Sequence, residues 1–155
     1  MRPTAGSARR RLLASGLVAG VCLGTTACSP VYSPSGQLAQ TASDASAQTQ
    51  TAALTLHLAA TQQLLSPAAE TALSDATDKL GQDASALTST DVSGGLATVR
   101  GRILTRLRTG EDLLIRARGL VQANAGPSAT DAVVHRLQAT AKQLSALEKQ
   151  LQASG

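Results

Sequence analysis

Aromatic residues are almost absent from this chain of 155 residues. It has no Phe, no Trp and a single Tyr, Tyr32. A core must therefore consist of Leu, Val, Ile and mostly Ala, and small side chains bury little apolar area each, at about 25 cal/mol per Å². β-Sheets favour the aromatic and β-branched residues that such a core lacks, whereas helices pack alanines closely. The composition thus predicts an all-α fold.

Cysteine is scarce too, and acidic residues are missing from the beginning of the chain. The two cysteines are Cys22 and Cys28, and no Asp or Glu precedes Asp44. Of the 14 Lys and Arg, four lie before residue 28, so residues 28–155 carry ten basic and ten acidic side chains. The excess of positive charge belongs to the first segment alone. It gives no argument for a nucleic-acid partner.

The first 27 residues have the three parts of a secretory signal peptide. Arginines come first, an apolar run of 13 residues extends from Leu12 to Gly24, and small residues precede Cys28. The run is too short to span a bilayer, which takes about 20 apolar residues. A cysteine directly after small residues resembles the lipobox of bacterial lipoproteins, here in the style of high-GC Gram-positive bacteria. The resemblance implies cleavage between Ala27 and Cys28, a palmitate-type lipid anchor on Cys28, and a place on the extracytoplasmic face of the cell membrane.

Both the processing at Cys28 and the export route have alternative interpretations. Residues 25–27 also suit an ordinary signal peptidase, which would make the protein secreted rather than anchored. Cys22 would be removed with the leader, and the remaining Cys28 could form no internal disulfide, so lipidation is the explanation that we prefer. Residues 9–13, Arg-Arg-Arg-Leu-Leu, fit a twin-arginine signal as well as the general secretion route.

The rest of the chain divides into a tether and an Ala- and Leu-rich domain. Residues 28–36 hold the cysteine and a Pro-containing, flexible tether. Residues 37–153 carry apolar side chains at helical spacing, interrupted near residues 66, 93 and 125 by Pro or Gly. Short connections between helices of similar length predict an antiparallel up-down bundle of four helices, or of three if residues 37–51 are disordered.

A few polar residues are predicted to have structural roles in this bundle. Ser66 should cap the second helix, and Ser128 with Asp131 forms a variant of the capping box at the start of the last one. Asp83 is placed at the border of a solvated face, where it can pair with Lys79 at i,i+4.

No group of residues indicates catalysis, a metal or a cofactor. The chain has no Gly-x-Ser-x-Gly elbow and no Gly-rich phosphate loop. On a helical wheel His57 points into an apolar arc, whereas His135 points away from one, so the two cannot share a metal or haem site. We therefore predict no enzyme, with His57 as a core histidine.

The third helix has the strongest local bias in composition. Six arginines lie in it, against Glu111 and Asp112: Arg100, Arg102, Arg106, Arg108, Arg116 and Arg118. Some of them should form an i,i+4 ladder through Asp112, and the others should cover leucines and meet acidic residues of neighbouring helices. Anionic lipid head groups or cell-wall polyanions are the alternative partners of these arginines.

The apolar arc of the third helix is also wider than a bundle needs. From Leu120 to Ile115 it spans about 220°, whereas a helix between two neighbours needs somewhat over 100°. Leu104 and Ile115 lie at one edge of the arc beside Arg100 and Arg118, and Arg is enriched at interfaces. These four residues are the predicted partner surface, for an envelope protein or a second copy of the chain.

The sequence thus predicts a membrane-anchored, extracytoplasmic lipoprotein that binds or scaffolds another envelope component without catalysis. The alternative is a carrier of an apolar small molecule or lipid, which would need an elongated apolar cavity inside the bundle.

Overall fold

Four long helices make up the part of the chain that the computed structural model describes, residues 33–154, and this part contains no strand. The helices are α1 (Pro34–Ala60), α2 (Ser66–Ser89), α3 (Gly95–Gln122) and α4 (Pro127–Ala153). The all-α prediction is confirmed. Residues 37–51 lie within α1, so the three-helix alternative is wrong.

Contacts between the ends of the helices establish their directions. Leu56 and Ala59 at the end of α1 line the same depression as Gly126 and Thr130 at the start of α4. Gln122 at the end of α3 donates to Glu70 near the start of α2 at 3.5 Å. Helices that are consecutive in the chain, and α1 with α4, are therefore antiparallel neighbours. The up-down-up-down topology is confirmed.

The two ends of the bundle differ in what they contain. The start of α1 lies beside the turn that joins α2 to α3, with Pro34 and Gln37 close to Thr90 and Asp91. The end of α4 lies here too, since Gln150 accepts a hydrogen bond from Arg102 near the start of α3. We call this end of the bundle the N-terminal end. The turns at residues 61–65 and 123–126 lie together at the opposite end, where Leu64 contributes to the same depression as Ala125 and Gly126.

Small side chains let α1 pack closely against all three other helices. Its buried residues are Leu38, Ala39, Ala42, Ala45, Thr49, Ala52, Ala53, Thr55 and Leu56. Across the diagonal α1 also contacts α3, whereas α2 and α4 do not meet within residues 33–154. Gly110 of α3 lies at this crossing, where an added Cβ would be 2.9 Å from Leu80 Cδ1 and 3.8 Å from Thr49 Oγ1. The small side chains thus determine the short diagonal of the bundle.

Larger side chains of the other helices fill the centre. The fully buried ones include Leu73, Leu80, Ile103, Leu107, Leu114, Leu137 and Leu144. In α3 the buried residues recur in steps of three and four, since Val99, Gly110, Ala117 and Val121 are buried as well. The predicted helical spacing of buried residues is confirmed for this helix.

The beginning of α1 departs from the prediction. The helix starts at Pro34, so residues 34–36, which the sequence assigned to the tether, are helical. Ser33 is the N-cap, and its side chain accepts a hydrogen bond from the Gly36 backbone N–H at 3.1 Å. Proline is favoured in the first turn of a helix, because backbone N–H groups there have no partner within the helix and proline has no N–H.

The starts of α2 and α4 also differ from the prediction, again because a proline lies in the first turn of each helix. Leu65, not Ser66, is the N-cap of α2, and Gly126 is the N-cap of α4. Neither cap has a side-chain hydrogen bond, so the capping box of Ser128 and Asp131 is not formed. A proline stands at the first or second position of each helix and sets the local backbone geometry without a capping hydroxyl.

Candidate interaction surface

The predicted cleavage and lipidation site, Ala27 and Cys28, lies outside the described residues. Since α1 begins at Pro34, an anchor on Cys28 would join the domain at its N-terminal end. None of the four described helices is both long and apolar enough to cross a bilayer.

The four residues of the predicted partner surface do not form one exposed patch. Ile115 is 58% exposed, but Leu104 is half-buried against the core. Arg100 is half-buried too and donates to the carbonyl of Thr90, at the C-cap of α2. Arg118 is half-buried, with its Nε enclosed and without a hydrogen-bond partner within residues 33–154. Three of the four residues are thus half-buried, and only Ile115 is strongly exposed.

The predicted ladder along α3 is wrong. No ion pair joins Arg108, Asp112 and Arg116 in the described part of the chain, where all three side chains are exposed. The expected pairing of other arginines with acidic neighbours is also wrong for Arg102, which donates to the amide oxygen of Gln150 at 3.2 Å. The charges of Arg108 and Asp112 are therefore available to a partner.

The outer face of α3 is exposed along most of the helix. Six positions in steps of four and three residues define this outer stripe: Gly101, Thr105, Arg108, Asp112, Ile115 and Gly119. No other helix covers them, although α3 contacts the other three helices elsewhere. The stripe was not predicted from the sequence, because the helical wheel of α3 was arranged around its leucines. The glycines at both ends of the stripe were therefore left out.

The two exposed glycines of the stripe are unlike Gly81 and Gly110, which lie against side chains of neighbouring helices. A Cβ added at Gly101 or Gly119 would meet no atom within 4 Å. At Gly81 it would lie 3.1 Å from Glu111 Oε1, and Gly110 is closer still to Leu80. Packing between helices thus accounts for the second pair of glycines but not for the first.

The prediction of His57 as a core residue is wrong. His57 is exposed, as is Leu54, which is 56% exposed. Because α1 turns its alanine face to the core, both side chains lie in an open groove of about 580 Å³ between α1 and α4, beside Val134 and Gln138. His135 is exposed on α4. Within residues 33–154 no three His, Cys, Asp or Glu residues are grouped so that they could hold a metal ion.

A second depression lies at the end opposite the N-terminal end. It has a volume of about 290 Å³ and is lined by both turns, including Leu65, which is 78% exposed. Each turn has one non-glycine residue with positive φ, Gln62 at 59° and Asn124 at 48°. Like the groove at His57, this depression is open to the surface rather than enclosed in the core.

A buried acidic side chain lies within α2. Asp83 is only 9% exposed and lies in the core, so its predicted place at the border of a solvated face is wrong. Its Oδ1 accepts a hydrogen bond from Lys79 at 3.0 Å, the one ion pair of residues 33–154, while Oδ2 is buried without a partner. The hydrogen bond and charge of Asp83 raise the pKa of Lys79, and the charge of Asp44 on α1 adds to the effect.

The fold and its surfaces define an all-α, four-helix antiparallel bundle with an exposed stripe on α3. No protein-family model, no curated protein and no solved structure matches this chain.

Proposed function

We propose that the protein is a lipoprotein held by Cys28 on the extracytoplasmic face of the cell membrane, where its helical domain binds or scaffolds another envelope component. The observation that carries the proposal is the leader, in which arginines, a short apolar run and small residues directly precede Cys28. The near neutrality of residues 28–155, with ten charges of each sign, supports attachment by a covalent lipid rather than by charge.

The hydrogen bonds of the buried threonine hydroxyl groups support a non-catalytic role. The buried threonines Thr49, Thr55, Thr130 and Thr140 each donate to a backbone carbonyl three or four residues earlier. A nucleophilic hydroxyl needs a side-chain base beside it and a third group to orient that base. Hydroxyls that are bound to their own helix have a structural role instead.

The packing of the core favours a binding module over a carrier. Fully buried leucines of α2, α3 and α4 occupy the centre of the bundle. A carrier would hold its ligand in a concave, mostly apolar cavity that encloses most of the ligand surface. A surface that remains exposed, such as the outer stripe of α3, suits a partner better than an enclosed ligand.

Substitution of Cys28 tests the anchor. We expect the parent chain, with a tag after its C-terminus, to be cleaved and to remain in the membrane fraction after washing with salt or carbonate. Cys28→Ala should yield an uncleaved precursor or a released protein, because the attachment point of the lipid is gone. Mass spectrometry of the mature N-terminal peptide should show the lipid on Cys28.

Cys22→Ala is the matched control, since Cys22 lies within the leader and should be removed with it. This variant should behave as the parent does. A Cys28→Ala variant that is cleaved and stays in the membrane like the parent would refute the proposal.

A further inference from the structure

We propose that the outer stripe of α3 binds the same stripe of a second copy of this chain, with the two α3 helices antiparallel about a two-fold axis at the level of residue 110. The proposal names a partner that the anchor alone does not specify. It holds equally for an anchored and a secreted protein.

The stripe is complementary to itself in this register. In a two-fold symmetric contact, residue i of one copy meets residue j of the other, and j meets i. Positions equally far from residue 110 then face each other across the antiparallel pair. Gly101 meets Gly119, Thr105 meets Ile115, and Arg108 meets Asp112, each of them twice.

Charge selects the antiparallel orientation. The contact between Arg108 and Asp112 occurs twice, once on each side of the axis, and joins opposite charges. In a parallel pair Arg108 would face Arg108 and Asp112 would face Asp112, and such like-charge contacts are unfavourable. Both side chains are exposed, and neither has an ion-pair partner within residues 33–154.

The proposed contact explains why glycines lie at the two ends of the stripe. Glycine inside a helix is less stable than alanine, so an exposed one needs a compensating role. Gly101 and Gly119 make no close contact within the bundle, as an added Cβ would find open space at either position. Opposite each other in a dimer, they let the two backbones approach closely.

Ile115 supplies the apolar part of the contact. It is one of three large apolar side chains that are strongly exposed in the described part of the chain. In the dimer it packs on Thr105 of the second copy, once on each side of the charged pairs. One helix from each copy makes a small interface, so we expect reversible association rather than an obligate dimer.

Two charge reversals test the register in the full-length chain. Copies with two different tags after the C-terminus are produced in the same cells, solubilised in mild detergent and captured through one tag. Parent copies should co-purify. Arg108→Glu or Asp112→Arg, present in both copies, should reduce the recovered second copy at least about tenfold, because each change turns both ion pairs into like-charge contacts.

Mixing the two variants makes the test specific to a two-fold contact. One copy with Arg108→Glu and the other with Asp112→Arg restores opposite charges at both contacts. We expect recovery to return to about the level of the parent. Loss of association in all three combinations, or in none, would overturn the proposal, since neither agrees with this register.

Two further variants separate association from folding. Arg116→Glu makes the same charge change on an exposed α3 position outside the stripe, and it should leave recovery unchanged. Gly119→Leu should raise or preserve the melting temperature of the bundle, because leucine favours a helix, while it blocks the close approach and lowers recovery. Parent copies that do not co-purify, or full recovery with Gly119→Leu, would also refute the proposal.

Discussion

Replacement of Asp83 by leucine should stabilise the bundle, although it removes the one ion pair found within residues 33–154. Asp83 continues the buried stripe of α2 between Leu80 and Leu87 and is only 9% exposed. Its carboxylate is therefore largely removed from water, but only Oδ1 has a partner. A buried acceptor without a hydrogen bond is unfavourable by about 1–3 kcal/mol.

The magnitude follows from four contributions to the free energy of unfolding. Removal of the carboxylate recovers the cost of its unpaired oxygen, and burial of a leucine side chain contributes about 1.5–3 kcal/mol. Loss of the ion pair costs about 0.5 kcal/mol or less, because Lys79 is 45% exposed and solvent screens the pair. Imperfect fit of the larger side chain costs about 1–3 kcal/mol. We expect a net gain of about 1–2 kcal/mol, or an increase of roughly 5 °C in melting temperature.

Thermal and denaturant unfolding, followed by circular dichroism at pH 7, measures this change. Asp83→Ala cannot overpack the core and should at least equal the parent in stability, since alanine also favours a helix. Lys79→Met deletes the same ion pair from the other side and should destabilise, because the buried carboxylate then has no partner at all. Equal destabilisation by Asp83→Leu and Lys79→Met would refute the reasoning, since the ion pair itself would then be the stabilising element.

Two other predictions concern stability. Because Asp83 raises the pKa of Lys79 above its ordinary value of 10.5, the contribution of their pair is complete below that pH and is lost as the pH rises through the raised pKa of the folded protein. The melting temperature of the parent should therefore fall above about pH 10.5, and it should fall less in Asp83→Leu. Gly110→Val should destabilise by roughly 2 kcal/mol, because a Cβ at this glycine is already too close to Leu80. Gly101→Val, the same change in open space, should be neutral within about 0.5 kcal/mol. Equal melting temperatures for the two valine variants would contradict the close packing of Gly110 of α3 against Leu80 of α2.

The order and direction of the helices could be predicted from the sequence, because proline and glycine residues clearly mark where each helix ends. Proline or glycine near residues 66, 93 and 125 ends each apolar pattern, and connections of a few residues force neighbouring helices to be antiparallel. In α3 the apolar residues are large and lie on one side, so only one rotation of the helix buries them. This is why the buried face of α3 agrees with the pattern.

The rotation of α1 could not be predicted in the same way. An Ala-rich helix has several faces of similar apolarity, so the apolar arc that contains His57 does not determine which of its edges faces the core. The bundle buries Ala45, Thr49, Ala53 and Leu56 and leaves Leu54 and His57 exposed. The small side chains on the buried face let α1 approach its three neighbours closely.

The outer stripe of α3 was only partly visible in the sequence. Ile115 was predicted at the edge of the apolar arc, and its exposure agrees with a surface position. Leu104 and Arg100 were assigned to the same surface, but contacts with α2 and the core cover them. Which edge of a wide arc a neighbour covers depends on how the helices are placed around the bundle, and this is not encoded in the period of one helix.

The proposed lipid anchor and the proposed antiparallel pair would together restrict how the protein lies on a membrane. α3 has 28 residues and is about 42 Å long at 1.5 Å per residue. Antiparallel pairing puts the Pro34 ends of the two copies at opposite ends of the dimer. Six residues lead from Cys28 to Pro34 and span at most about 21 Å. In an upright dimer one copy would therefore be unable to reach the bilayer.

Both anchors can insert only when the helices lie along the membrane surface. The lipidated parent protein on a supported bilayer should then form a layer about 20–25 Å thick, close to two helix diameters. Neutron reflectometry measures this thickness on the same preparation whose copies co-purify. A layer of about 40 Å with association intact would contradict the antiparallel register, because upright copies that are both anchored must pair in parallel. That orientation would bring Arg108 against Arg108 and Asp112 against Asp112. Neither charge reversal, present in both copies, should then lower recovery below that of the parent, and the mixed pair should exceed it.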